Sequence, residues 1–280
     1  MAFRRNGHGR RLRHLLALVI AAAFCLPLYW VLIASLRQPG LPPPRTVEWW
    51  PQSAHWDNYA QIFRTLPMAQ YIWNSLIVVS IAVPMTLLIA SWGGFGLAQL
   101  PDLPRRRLYV ASVAMLMIPG SSVWILRFQI LSLLGLLDSL WALIVPALAA
   151  GSPLFVLLFH WAFRRIPAEV YEAARIEGAS AWDVWWRLAL PLARPTVVAV
   201  GVLAFVMYWS DFVSPVLYIY RPSLYTLPVG LQILKQMDAT NWPLLMAAAA
   251  VMALPVVLLF GLVQRHFRHD MALANVLEKE

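Results

Sequence analysis

Asp211 is the one Asp, Glu, Lys or Arg that falls inside any of six long apolar stretches in this 280-residue chain. A charge at the depth of a bilayer core costs on the order of 3 kcal/mol on insertion scales, so such a residue faces water or a polar partner. Two chemistries suit it. With Tyr208 and Trp209 beside it, the carboxylate can accept hydrogen bonds from hydroxyl groups while aromatic faces pack on a ring, as the lining of a polar passage would. Equally, it can be a structural carboxylate bonded to a neighbouring helix. Its distance from the cytoplasmic end of its run, about 16 residues at roughly 1.5 Å each, places it in the outer half of a membrane.

Other reactive residue types are sparse. Nucleotide hydrolysis by a phosphate loop needs a glycine-rich turn ending in Lys and Ser or Thr, and the two lysines, Lys235 and Lys279, follow no such turn. There is no HExxH pair, no pair of carboxylates inside the apolar runs and no nucleophile with an evident base, which argues against an intramembrane enzyme. His160 has no second His, Cys or carboxylate at ligand spacing, so no metal is expected. Cys25 is the lone cysteine and says nothing about compartment. Asn74 and Gln129 read as helix-end or interhelical hydrogen-bonding residues.

The elements that must position these residues are membrane helices. The chain is 61% hydrophobic and 12% charged, far from the balance of a soluble domain. Runs near the length of a bilayer core lie at about 15–36, 71–97, 108–126, 139–163, 196–219 and 243–263. An all-α membrane protein with six spans follows, divided into an N-terminal segment 1–14, a first span 15–36, a loop 37–70, a core 71–263 and a tail 264–280. Pro27, Pro84, Pro119, Pro146, Pro153, Pro215 and Pro255 fall inside the runs and predict kinks rather than ends, because neighbouring helices can satisfy the freed backbone groups. A cleavable signal is the alternative for the first run, since a basic start and the cluster Ala21, Ala22 and Ala23 imitate a cleavage site. The run's continuation to Leu36 is too long for a signal core.

Charge sets the orientation. With the N-terminus inside, the basic residues Arg37, Arg45, Arg64, Arg127, Arg221 and Lys235 fall outside. The other sixteen of 22 flank the spans on the inner side: Arg4, Arg5, Arg10, Arg11 and Arg13, then Arg105, Arg106 and Arg107, then Arg164, Arg165, Arg175, Arg187 and Arg194, and finally Arg265, Arg268 and Lys279. Positive charge concentrates in cytoplasmic segments, so both termini are expected in the cytoplasm. The same clustering explains the net charge of +9 without nucleic acid, for which a basic stripe interleaved with aromatics would be needed.

The polar insert 164–195 reads as two short helices on the inner side. Pro167 suits a helix start, 168–177 is helix-forming, and Gly178 is placed as a C-terminal cap. Ser180 with Asp183 can cap a second helix carrying Trp182, Trp185 and Trp186 largely on one face, with Pro191 stopping it. An interfacial hairpin anchored in lipid by its tryptophans is one reading of this pattern.

The insert's residues carry a resemblance. Glu172, Ala173 and Ala174, then Gly178, then Leu188, Leu190 and Pro191 stand at the spacing of the EAA signature and resemble that of permease subunits of binding-protein-dependent ABC importers, with Leu188 where Ile is usual. Further residues are similar to those of the second, smaller permease of maltose-type sugar importers. They are Asn58, Tyr59 and Phe63; Asn74 and Ser75; Ile118, Pro119 and Gly120; Ile166, Pro167 and Glu169; Trp209, Ser210, Asp211, Phe212 and Pro215; and the run 226–231. Ser210 stands where Asn is frequent, and the family's usual Gly- and Lys-containing tail is not visible after Arg265.

The resemblance implies a type I ABC importer permease fold and transport of a sugar or sugar-like solute across a bacterial inner membrane. In such importers the insert sits in a cleft of a separate ATPase dimer, which binds the ATP and magnesium; a second permease completes the pathway as a heterodimer, and an extracytoplasmic solute-binding protein delivers the solute. The chain itself would need no cofactor and catalyse nothing. A stand-alone secondary transporter is the remaining alternative, for which inverted halves with several buried ionisable residues would be expected.

Overall fold

The computed structural model describes residues 7–277, with side chains from 13 to 264. Arg4, Arg5 and Lys279 lie outside the described residues, as do the side chains of Arg10, Arg11, Arg265 and Arg268, so the ends of the expected segments 1–14 and 264–280 are not described structurally. All regular elements among the described residues are helical.

Among the described residues, four helices are long and apolar enough to cross a membrane: 13–35, 68–99, 141–164 and 242–264. Two further apolar pairs are sharply bent, Asp102–Leu116 with Gly120–Leu133 at 97°, and Ala181–Leu192 with Arg194–Trp209 at 84°, giving up to six spans. The prolines divide into two classes. Pro27 in α1 (Gly7–Ser35), Pro84 in α3 (Met68–Gln99) and Pro255 in α14 (Trp242–Leu277) sit inside continuous helices, as expected for a lipid-facing chain whose backbone has no water to fray into.

At three other places the expected single span is interrupted. The run 108–126 is two helices, α4 (Asp102–Leu116) and α5 (Gly120–Leu133), because Pro119 forces the residue before it out of the helical region and is itself extended, with ψ 132°. The run 139–163 is α6 (Trp141–Ile144), a 3₁₀ turn Val145–Ala149 and α7 (Pro153–Arg164), separated by left-handed Ala150 and Gly151. Pro153 there opens a helix capped by the Ser152 hydroxyl, which accepts the Leu154 N–H at 3.3 Å. The run 196–219 is α11 (Arg194–Trp209) and α12 (Val213–Tyr218), broken at residues 210–212. These prolines therefore mark ends as well as kinks.

The chain forms two compact units. The first comprises Met1–Met68 and Leu231–Pro255. In it Asn58, fully buried in α2 (Asp57–Thr65), donates from Nδ2 to the carbonyls of Ser35 and Arg37, both at 2.8 Å, and closes the end of α1. Ser35 and Tyr59 share a hydroxyl bond of 2.7 Å, and Arg37 pairs with Glu48 at 2.7 Å. Asn241 accepts the Gly40 N–H at 3.0 Å ahead of α14.

The second unit, Ala69–Gly230 with Val256–Glu280, carries the larger core. Asn74 of α3 donates to the carbonyls of Ser223 and Tyr225, both at 2.9 Å, and Ser75 accepts the Leu227 N–H at 2.9 Å. Asn74 is thus an inter-element tie. Farther along α3, Gly94 lets the helix lie directly on α7: a Cβ there would stand 2.6 Å from the Phe159 Cβ, 2.8 Å from the Val156 carbonyl and 2.9 Å from the His160 nitrogen. Two of these are backbone atoms that cannot swing away. Gly94→Ala should lower the unfolding midpoint of the purified protein, with a loss of about 1–3 kcal/mol from overpacking. Gly96→Ala, where a Cβ meets nothing within 4 Å, should leave it equal or higher, as thermal unfolding in detergent would show.

Candidate functional site

The insert folds as a hairpin whose geometry follows from its caps. Helix α8 (Ala168–Ile176) ends in a Schellman turn: Ala179 N–H donates to the Ala174 carbonyl at 3.0 Å and Gly178 N–H to that of Arg175 at 3.0 Å. Gly178 has φ +79°, a conformation that costs a residue with a side chain about 1–2 kcal/mol. Ser180 then caps the second arm. Its Oγ accepts the Asp183 N–H at 3.2 Å and donates to the Asp183 carboxylate at 2.5 Å. That bond, with Arg187 at 3.4 Å, holds the Asp183 carboxyl below the usual aspartate range.

The second arm differs from expectation. It runs Ala181–Leu192, through Pro191, and its middle, Val184–Ala189, is a π-helix. A proline ring clashes with the carbonyl four residues before it in an α-helix. The wider π turn around Arg187 relieves this and lets the arm continue one residue past Pro191. π turns are rare and concentrate at functional places.

An aromatic floor fixes the hairpin. Tyr171 of α8 is buried among Phe95 and Phe163, at ring distances of 6.3 Å to Phe95 and 5.9 Å between the phenylalanines, and donates its hydroxyl to the Phe163 carbonyl at 3.0 Å. Burial pushes the Tyr171 phenol up to about 12. Trp185 is 1% exposed and meets Trp92 of α3 edge-on at 4.9 Å. Trp182 and Trp186, at the surface, stack at 6.2 Å and continue the same patch. Arg175 donates to the Gln99 side chain at the end of α3 at 2.6 Å. Between hairpin and α3 lies a cavity of about 320 Å³ bordered by Trp92, Gly96, Arg175, Ala179 and Val184.

The signature residues divide between two faces. Leu188, Leu190 and Ala174 pack inward against the core. Glu172, Ala173, Gly178 and Pro191 are exposed. Glu169, Glu172, Ala173 and Ile176 follow the i, i+3, i+4, i+7 spacing of one helix face, and Ile176 is 87% exposed, leaving an uncovered stripe of acidic, small and apolar groups.

The residues around Asp211 form a second group. The Asp211 carboxylate accepts the Ser214 N–H at 3.1 Å and so caps α12 across the break; this satisfies part of its hydrogen-bonding capacity. Trp209 is 1% exposed and stacks on Phe205 at 5.6 Å, buried within the protein. The Tyr208 hydroxyl shares a 2.9 Å bond with Thr86 of α3, and the missing side chain of Gly151 leaves room for it, since a Cβ there would stand 3.1 Å from the hydroxyl. Two contributors went unrecognised in the sequence. Arg127 lies on α5 just past the end of its run, one turn from Trp124, whose carbonyl accepts the Tyr218 hydroxyl at 3.2 Å. Asp138, at φ +57°, accepts the N–H groups of Tyr220 and Arg221 at 3.0 and 2.9 Å and the Arg221 guanidinium at 2.7 Å, which holds its carboxyl low. The one sequence signal for Arg127 was its position one residue beyond an apolar run; Asp138 had none.

The depressed Asp183 carboxyl sets a pH expectation. Its contribution is complete above the ordinary aspartate value, about pH 4, and is lost as pH falls through the lower folded value. Protection from amide exchange at residues 181–184, taken relative to the intrinsic rate at each pH, should fall below about pH 4 in the native chain, and Asp183→Asn should remove that acid dependence while lowering protection at neutral pH.

Residues 1–273 match the family described as binding-protein-dependent transport system inner membrane component. The sulfoquinovosyl glycerol transport system permease protein SmoH of Agrobacterium fabrum is 30% identical over 256 residues, which is 91% of this chain and 90% of that protein. The arabinooligosaccharides transport system permease protein AraQ of Halalkalibacterium halodurans is 29% identical over 92% of each chain. In solved structures, a chain of a bacterial ABC transporter involved in import of the acidic polysaccharide alginate superimposes with a TM-score of 0.73 at 18% identity, covering 95% of this chain and 99% of the other, a likeness of fold. The chain belongs to the binding-protein-dependent transport system inner membrane component family.

Proposed function

We propose that this protein is one of two permease subunits of an ATP-driven importer for a sugar or sugar-like solute, and that the hairpin 164–195 couples it to a separate ATPase dimer. Relatives named as permeases for sulfoquinovosyl glycerol and arabinooligosaccharides support the solute class. The observation that carries the coupling role is the uncovered stripe Glu169, Glu172, Ala173 and Ile176 on a hairpin whose opposite face is welded to α3 and α7. Glu172 offers a charge for a basic group, Ala173 permits close approach, and Ile176 supplies an apolar anchor.

In this reading both termini and the hairpin face the cytoplasm, a solute-binding protein docks on the other side, and a second permease supplies the rest of the pathway. ATP and magnesium reside in the ATPase, and the chain performs no catalysis. Asp211 and Tyr208 border the solute route from the broken region between α11 and α12, with Trp209 behind them as support.

The test is transport by the assembled complex in vesicles. Glu172→Lys and Gly178→Val should each lower solute uptake per ATP hydrolysed by at least about tenfold, with the permease still inserted and folded; the Gly178 effect follows from the positive φ, which a β-branched residue opposes. Unchanged coupling in both variants, or reporter fusions placing the hairpin outside, would remove this function. Asp211→Asn should slow uptake with assembly unchanged.

A further inference from the structure

The helix α5, which the Tyr218 hydroxyl of α12 reaches at Trp124, carries an unmatched cation. Arg127 is half-buried in α5 and, among the described residues, has no carboxylate within 4.0 Å. A half-buried guanidinium on an apolar helix is costly unless an anion or water meets it, and where such residues lie within a membrane they mark solute and ion routes. Its direction is set by a neighbour. The Tyr218 hydroxyl donates to the Trp124 carbonyl at 3.2 Å, and Trp124 and Arg127, three residues apart, share one face of α5; that face looks toward α12.

Asp211 does not neutralise it. Tyr208 packs against the core cluster of Tyr218, whose hydroxyl reaches α5 at Trp124, while the Asp211 carboxylate is engaged with the Ser214 amide rather than with Arg127. A cation on α5 and an anion at the start of α12 thus stand on two helices joined by the Tyr218 hydroxyl without pairing with each other. The surrounding helices are interrupted at residues 117–119, 150–152 and 210–212, and irregular backbone at membrane depth is tolerated where it is buried in protein or lines a polar cavity.

We infer that Arg127 is a specificity-determining residue that selects solutes bearing an anionic group, a carboxylate, sulfonate or phosphate, alongside sugar hydroxyls. The anion would take the planar, two-pronged guanidinium in charge-assisted hydrogen bonds about twice as strong as neutral ones, while hydroxyls of the same solute donate to Asp211 and exchange bonds with Tyr208. A neutral sugar satisfies Asp211 and the tyrosine but leaves the guanidinium with neutral acceptors only. This rests on the transport reading above and narrows its substrate class.

The experiment uses the complete importer with its binding protein and ATPase in vesicles, and a set of mono- and disaccharides in matched pairs, each a neutral sugar and its uronic-acid counterpart. The native complex should take up the acidic member of at least one pair at least about tenfold faster at low concentration. Arg127→Gln should bring that ratio close to one, and Arg127→Lys should retain part of it. Uptake of neutral members alone, or an acidic preference untouched by Arg127→Gln, overturns the inference and leaves the transport reading intact. If the anion on Arg127 is a phospholipid phosphate, Arg127→Gln lowers co-purified anionic lipid without altering the uptake ratio, which also overturns it. ATP-dependent uptake of no sugar at all overturns the transport reading as well.

Discussion

Phe95, Phe163 and Tyr171 meet in an aromatic contact, continued through Trp92 to Trp185, that joins the hairpin to α3 and α7, and the rest of the site depends on it. The contact exists because α3 and α7 lie unusually close at Gly94, where no Cβ is tolerated. That approach brings Phe95 and Phe163 edge to face and makes a floor on which Tyr171 and Trp185 settle. Burial of one such ring is favourable by about 1.5–3 kcal/mol, so several together outweigh the capping bonds, each near 1 kcal/mol. The caps shape the hairpin, and the aromatic floor makes it a rigid extension of α3 and α7.

Rigidity on one side gives meaning to exposure on the other. Force applied to Glu172, Ala173 or Ile176 cannot be absorbed by rotation of α8 on its floor without breaking the Tyr171 bond to Phe163 and the aromatic packing. It passes instead through the bent junction at Ala193 into α11, whose far end is the break that carries Asp211. Local structure, packing and the proposed transmission of motion are therefore links of one chain, and Gly94 is where that chain starts.

Local chemistry was legible in the sequence, and long-range arrangement was not. Gly178 as a C-terminal cap and Ser180 with Asp183 as an N-terminal cap are settled within a few residues, so the hairpin could be placed before its structure was known. The six apolar runs were also readable because bilayer thickness fixes their length. The breaks were harder. Pro27, Pro84 and Pro255 leave helices continuous while Pro119 and Pro153 coincide with chain breaks, and the difference lies in the neighbours that stabilise each conformation. The third apolar run stops at residue 126 because Arg127 is charged, which puts Arg127 on the outer side, whereas the helix α5 continues through it to Leu133. Asp138 and Arg221 are 83 residues apart, and the π turn at Val184–Ala189 has no periodic signal; only the fold brings these out.

The direct test of the central claim is a distance. With the exposed native Cys25 replaced by serine, spin labels at Glu177 at the end of α8 and Ile89 on α3, both exposed, would report the hairpin's position on its own membrane helices in the assembled importer. A rigid extension predicts the same narrow distance distribution without nucleotide and with ATP trapped in the ATPase. A shift of several ångströms or a marked broadening on ATP binding would show that the hairpin moves on its floor, and would contradict the account.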